Sequence, residues 1–443
     1  MRRWLEGLRE LRQYPSAMGG MALIVFLVAL SIYTVIAIPY SQALELWRGG
    51  DEWNKHPVNA GPVWADRLMG GDKPETITVS GAEAPVRDAP FEGGRQVRMP
   101  LAFDYPYGEF PSEINLFLET RDTEREAFVR LSWQTPDGDT IPLGGRRVAQ
   151  QDRVSISQNR ALEGRLGAPP HIALLADDPT ADDPRAVPGE YRLVVDAILF
   201  GEDASLEADL VVYGRVHGIA GTDHQRRDLM VALLWGTPVA LAFGLLAAVG
   251  TTITTLVIAA TGVWFGGLVD ATIQRLTEVN IILPLLPILV MVGTLYSTSI
   301  WLMLGVVIAL GIFSAGIKMY RAMLLPIRQA PYIEAARAYG ASNTRIIMRY
   351  MIPRILPVLI PTFVTLIPTY VFLEASLAVL GLGDPILPTW GKVLNDAQVQ
   401  SALYNGFYYW VVSPALLLML TGLGFAMLGF ALDRVFNPRL RTQ

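Results

Sequence analysis

The chain has 443 residues, 51% of them apolar and 17% charged, with positive mean hydropathy. It is long enough for more than one domain and too apolar for a wholly soluble protein. A net charge of −5 argues against nucleic acid as a partner, and the absence of cysteine excludes disulfides, thiolate catalysis and cysteine-ligated metal.

Charge is distributed unevenly, with acids in the middle, as at Asp177-Asp178 and Asp182-Asp183, and bases beside the apolar runs. Residues 1–17 carry Arg2, Arg3, Arg9 and Arg12 and precede an apolar run over 18–40, about the length that spans the hydrocarbon core. The bases place 1–17 in the cytoplasm. The run exceeds the apolar part of a secretory signal and has no small-residue cleavage site, so it reads as an uncleaved anchor.

Residues 41–216 are polar, punctuated by proline and glycine, and contain no run able to span a membrane. They read as an extracytoplasmic, mainly β insert. Val129, Leu131 and Trp133 alternate with polar neighbours before the turn Pro136-Asp137-Gly138; Tyr191, Leu193 and Val195 follow Pro188-Gly189; Ile114, Leu116 and Leu118 begin a third strand. Short strands separated by turn residues predict a sandwich or similar antiparallel domain, with 146–183 as long loops. The histidines His56, His171, His217 and His224 lie in or next to the insert, and only His217 and His224 are close in sequence. Their spacing does not suit a helical metal pair, so no metal site is expected.

Beyond the insert, 217–238 reads as an amphipathic surface elbow marked by Leu229, Leu233 and Leu234. A five-helix core follows over 239–432, with spans at 239–263, 281–295, 300–319, 355–379 and 410–432. Pro284 and Pro287 are acceptable in such a helix because neighbours can re-satisfy freed carbonyls. With the first helix this makes six spans, so the basic tail 433–443, holding Arg434, Arg439 and Arg441, returns to the cytoplasm. The insert and the 381–408 loop then lie outside. Gly244, Gly250, Gly305, Gly311, Gly422, Gly424 and Gly429 fit a packed bundle of membrane helices, although glycine is also simply common in them.

A polar island interrupts the apolar spans at 331–357. From Lys318 to Arg354 there are seven Lys or Arg against the single acid Glu334. The formers at 332–339 predict a helix ended by Gly340, then a second short helix capped by Ser342 or Asn343 and closed by Pro353. Ala335 and Ala336 leave a flat patch for close approach, while Arg337, Arg345 and Arg349 suit an acidic partner or lipid headgroups. An ordinary basic inside loop has the same composition.

Glu374 is the one acid well inside an apolar run, roughly 28 Å along the helix from Ile355 and therefore near the outer face. That depth suits an anchor for a gate loop or neighbouring backbone better than proton coupling. There is no Gly-x-x-x-x-Gly-Lys-Ser/Thr phosphate loop and no nucleophile, base and oxyanion constellation. If ATP drives the protein, another chain binds it.

Glu334-Ala335-Ala336, three residues, Gly340 and the close at Ile352-Pro353 resemble the EAA loop of ABC-importer permeases. Tyr350 and Ile352 stand where that pattern has isoleucine and leucine. Gly221-Thr222-Asp223 with Arg227-Asp228, Phe265-Gly266-Gly267 with Asp270 and Arg275, Glu374-Ala375-Ser376-Leu377, Leu380-Gly381-Leu382-Gly383, Trp390-Gly391 and Asn437-Pro438-Arg439-Leu440 narrow the likeness. Over 215–443, and more weakly over the first forty residues, the chain resembles the dipeptide, oligopeptide and nickel permeases. It departs from them in having Arg226 where they have glycine and one residue fewer between Gly383 and Trp390.

The resemblance implies the type I importer permease fold in the cell membrane. It further implies a second homologous permease, two ATPase subunits that bind ATP and magnesium, an extracytoplasmic substrate-binding protein, and no cofactor in this chain. ATPase coupling would fall to Glu334, Ala335, Ala336, Arg337, Gly340, Arg345 and Pro353, and an outer gate to Glu374, Gly381, Gly383 and Trp390. No family motif covers the insert, which would dock the binding protein, contact outer loops of the second permease, or bind substrate or cell-wall material. An ion-coupled secondary transporter and a membrane-anchored sensor or scaffold are the competing classes.

Overall fold

The computed structural model describes residues 15–91, 94–123, 125–201 and 203–436. The arginines at positions 2, 3, 9 and 12, the run Asn437-Pro438-Arg439-Leu440 and Arg441 lie outside the described residues. The chain divides into two compact units, Gly49–Met230 and, together, Met1–Arg48 with Val231–Gln443.

Strands of the Gly49–Met230 unit are β1 Ile77–Ser80, β2 Arg87–Phe91, β3 Gly94–Tyr105, β4 Glu113–Arg121, β5 Ala127–Gln134, β6 Thr140–Val148, β7 Gln151–Ser155, β8 Gly189–Leu199 and β9 Ser205–Tyr213. They form two antiparallel sheets, ordered β1-β9-β4-β7 and β2-β3-β8-β5-β6. Alternation explains the packing: Leu101 and Phe103 on β3, Leu116 on β4, Leu131 and Trp133 on β5, Tyr191 and Leu193 on β8 and Leu210 on β9 share one core between the sheets. Trp133 and Tyr191 bury rings yet keep their polar tips bonded, Nε1 donating to Leu174 O at 2.9 Å and the hydroxyl to Val187 O at 2.7 Å. This is the sandwich expected from the strand pattern.

The stretch read as long loops is more regular than its sequence suggests. It contains β7 and short helices at Arg160–Leu166 and Pro170–Ala173. Each is shorter than the window over which periodicity registers. Local chemistry holds them: Asn159 accepts from Leu162 N at 3.1 Å, Gly167 ends the first helix at φ 76°, and Leu162, Leu174 and Leu175 reach the core.

The histidine neighbours also differ from the sequence neighbours. His56 stacks on His217 with ring centroids 4.4 Å apart and meets Trp53 at 4.9 Å. Burial, reinforced by His217, pulls His56 down to about 4. Because the folded value lies below the unfolded one, the neutral ring's contribution is present above about pH 6.5 and is lost as pH falls through 4. The loss is about 3 kcal/mol at most. Thermal unfolding of this unit, followed by tryptophan fluorescence, should therefore move to lower temperature between pH 7 and pH 4.5, and His56→Gln should flatten that dependence. An unchanged slope in the variant would count against the assignment.

In the second unit, α1 is Pro15–Ala37, α2 Tyr40–Arg48, α3 Leu229–Phe265, α4 Gly267–Ile282, α5 Leu285–Leu295, α6 Ile300–Gly311 and α7 Gly316–Arg328. Then come α8 Pro331–Ala338, α9 Asn343–Ile346, α10 Ile352–Leu377, α11 Trp390–Val399 and α12 Tyr409–Phe436. Four helices are long and apolar enough to cross a membrane, or six if each bent pair counts as one span. The bent pairs are α4 with α5, at 76°, and α6 with α7, at 46°. Of the spans read at 281–295 and 300–319, the first starts at the bend of one pair and the second runs across the bend of the other. Pro284 removes a donor at the first break. At the second, side chains take the freed carbonyls: Asn280 Nδ2 donates to Leu310 O at 2.9 Å and Thr255 Oγ1 to Gly311 O at 3.1 Å.

The amphipathic elbow read over 217–238 is absent among the described residues. Residues 217–228 are non-helical and belong to the β unit, and α3 runs unbroken for 37 residues from Leu229. Asp228 caps it, accepting from Met230 N at 2.8 Å. Pro238 lies inside it without ending it and leaves Leu234 O without its usual donor; the Thr34 hydroxyl is 3.4 Å from that carbonyl but donates to Leu30 O at 2.8 Å. The insert boundary moves as well, since 41–48 form most of α2. Glycine allows the closest helix approach: a Cβ at Gly20 would lie 2.7 Å from Gly424 O, bringing α1 onto α12, whereas one at Gly305 would meet open space.

Candidate functional site

The polar island folds into a bent bracket. Pro331 opens α8 at a position where a missing N–H costs nothing. A Schellman motif ends the helix: Gly340 N donates to Arg337 O at 2.9 Å and Ala341 N to Ala336 O at 3.0 Å, with Gly340 at φ 76°. Ser342 Oγ then caps α9, accepting from Arg345 N at 3.4 Å.

Pro353 does not close the second helix. A π turn over Ile347–Met351 joins α9 to α10, giving one long helix that runs from Asn343 until the left-handed Gly381 breaks it. Pro353 directly follows that turn, where Ile352 N already bonds back to Ile347 O and the regular ladder is displaced, so its missing donor does not stop the helix. The bracket is therefore continuous with a membrane-length helix.

Its inner side is apolar. Ile333, Ile346, Ile347 and Met351 pack with Trp264 of α3. Glu334, Ala335, Arg337, Arg345, Arg349 and Pro353 are exposed and Ala336 is half-buried, and Glu334 forms no ion pair among the described residues. The basic excess is partly engaged within the chain. Arg337 lies 5.2 Å over the Trp264 ring, and Arg321 grips Asp270 with Nε to Oδ1 at 2.9 Å and a second nitrogen to Oδ2 at 2.7 Å. Tyr339 escaped sequence reasoning although it is 92% exposed on the turn before Gly340. An aromatic beside a helix-ending glycine was the available signal.

The residues read as an outer gate gather at the far end of α10. Glu374 is 6% exposed and lies beside the Thr389 side chain. Thr389 in turn caps α11, accepting from Lys392 N at 3.1 Å. Trp390 is 1% exposed; its Nε1 donates to Leu233 O at 2.9 Å, and a Cβ at Gly236 would strike its ring. Gly383 and Gly391 both abut Ala378, while Gly381 stands in open space at φ 83°. The structure thus brings Glu374, Gly383 and Trp390 into one packed cluster and leaves Gly381 as a backbone turn.

Among the described residues no three His, Asp or Glu side chains could hold a metal ion. What the geometry offers is mechanical: a bracket exposed on one side and welded to a spanning helix, whose opposite end carries a packed cap.

Comparison with known proteins follows the same division. Residues 252–442 match the family described as binding-protein-dependent transport system inner membrane component. Over 226 residues, the chain is 31% identical to the glutathione transport system permease protein of Pectobacterium atrosepticum, covering 50% of this chain and 73% of that protein. The corresponding protein of Escherichia coli O6:K15:H31 is 32% identical over 234 residues, covering 50% and 72%. The dipeptide transport system permease protein of Alkalihalophilus pseudofirmus is 27% identical over 227 residues, again 50% and 72%.

Fold and site define a polytopic helical membrane transport subunit. The chain belongs to the family of binding-protein-dependent transport system inner membrane components. It is the permease subunit of an ABC importer and not itself an enzyme, and the ion-coupled and sensor readings give way to this one. Partners of ATPase and substrate-binding type go with such a subunit, and the permease domain needs no cofactor of its own.

Proposed function

We propose that this chain forms one half of the translocation pathway of an importer for short peptides. It pairs with a second homologous permease, two ATPase subunits that bind ATP and magnesium, and an extracytoplasmic binding protein. The names of its glutathione and dipeptide relatives support the substrate class. The carrying observation is the bracket at 331–357, exposed through Glu334, Ala335, Arg345 and Tyr339 and continuous with α10.

In this reading the bracket and both termini face the cytoplasm and the β unit faces outward. The boundaries nearest the structure are 49–230 for that unit and 229–436 for the helices after it. Closure of the two nucleotide-bound ATPase subunits displaces the bracket, and the long helix carries the displacement to the Glu374, Thr389 and Trp390 cluster, which anchors the outer end. Access alternates because the ATP-bound partners favour one of the two states; without that difference in affinity nothing would move. The β unit acts as a docking or scaffold surface for outer components.

Affinity purification of the full chain from its native membrane, followed by identification of the bound chains, tests the proposal. An ATP-hydrolysing chain and a second permease are expected. Recovery of the intact chain with neither would overturn it.

A further inference from the structure

The two broken spans break at the same level. Helices α5 and α6 are joined by the short turn 296–299 and run antiparallel, with Gly293 against Met303. From that turn α5 extends 11 residues to the Pro284 break and α6 extends 12 to the break after Gly311. At 1.5 Å per residue both breaks lie about 16–18 Å from the turn, near half the roughly 30 Å hydrocarbon thickness. Tyr296 and Trp301, both exposed beside the turn, suit an interfacial depth for it.

Between the breaks is a cavity of about 310 Å³, walled by Asn280, Leu283, Leu285, Gly311, Ser314 and Tyr370 among others. Small-molecule sites begin at about this size. No charged side chain lines it; the nearest pair along these helices, Glu278 with Lys318 at 3.9 Å, sits about one turn beyond. Its polar groups are mostly acceptors. Asn280 uses its amide nitrogen on Leu310 O and Phe313 O, leaving the amide oxygen without a partner among the described residues. Tyr370 donates to Thr251 Oγ1 at 3.2 Å and keeps its lone pairs open. The Ser314 hydroxyl has no partner among the described residues and serves as donor or acceptor. Polar groups left open at mid-membrane depth are costly unless something bonds them, and structures retain them where they line a path.

We infer that this cavity is a way station for the peptide, taking uncharged backbone N–H groups and small apolar side chains. A free carboxylate or ammonium finds no counter-ion inside it, so charged ends of a substrate rest on the Glu278 and Lys318 side. This rests on the importer reading above and adds the place and chemistry of contact.

The chain has no cysteine, so Ser314→Cys introduces one thiol into it. In the purified complex with its native partner chains, in proteoliposomes, an uncharged, water-soluble methanethiosulfonate bearing a short ethylene glycol chain should modify that thiol at least tenfold faster than one introduced by Phe430→Cys, whose parent side chain is 70% exposed on α12. Modification is read by mass spectrometry of this chain. The modified complex is expected to lose at least nine tenths of its dipeptide uptake while still hydrolysing ATP. A rate no faster than the Phe430→Cys control overturns the inference, as does reaction only with a lipophilic maleimide, which would mean a lipid-filled cavity. Undiminished uptake after modification does the same. If Ser314→Cys does not assemble, Leu283→Cys on the same wall gives the same readout. Absence of any ATP-hydrolysing chain from the unsubstituted preparation would instead remove the importer reading itself.

Discussion

Replacing Gly340 with valine should reduce uptake at least tenfold while leaving the β unit folded. The backbone there sits at φ 76°, and a Cβ would meet nothing within 4 Å. The penalty is therefore conformational, about 1–2 kcal/mol for an ordinary L residue and more for a β-branched one. The two Schellman hydrogen bonds fix the angle between α8 and α9. Relieving strain at this residue opens that angle and shifts Glu334 and Ala335, the residues proposed to meet the ATPase. Asparagine tolerates the left-handed region, so uptake should fall in the order Gly, Asn, Ala, Val, with ATPase copurification following the same series. Uptake above half the unsubstituted level in Gly340→Val would show that the elbow angle does not matter.

Asp223→Ala should lower the unfolding temperature of the β unit by several degrees, on the order of 1–3 kcal/mol for buried backbone donors left without their acceptor. Asp223 and Arg227 are almost fully buried, with Arg227 Nε 2.5 Å from Oδ2. The carboxylate also accepts from Gln225 N at 2.8 Å and Arg227 N at 2.9 Å, shaping the loop that precedes α3. A single substitution that costs under 1 kcal/mol in thermal unfolding of the purified chain would show that solvent reaches the site.

Arg226, beside this pair, illustrates how much of the site the sequence disclosed. Its departure from the family's glycine was readable, but its consequence was not. The position sits at φ 67°, and the side chain offsets the strain by bonding Glu113 at 2.7 Å and His56 O at 2.7 Å and by lying 4.6 Å over the Tyr213 ring. The bracket was legible because helix formers, a terminating glycine and a capping serine act within a few residues of one another. The β sandwich was legible because alternation is a local rule. Where the outcome hung on distant partners, sequence reasoning failed. Whether Pro238 breaks a helix depends on how the rest of the bundle packs around α3. Whether Pro353 ends one depends on how the preceding turn is wound. The cap at Glu374 likewise needed the fold to bring Thr389 to it.

That winding has its own consequence. An α-helix advances about 100° per residue, and the wide turn at Ile347–Met351 absorbs one residue extra, so the segments on either side keep the bearing that a uniform helix one residue shorter would give them. Deleting one residue inside that turn would restore uniform pitch and leave the Arg345 side near its present azimuth. The compass bearing of the bracket is thus buffered at this one place, and the same deletion in the regular part of α10 would swing it by about 100°.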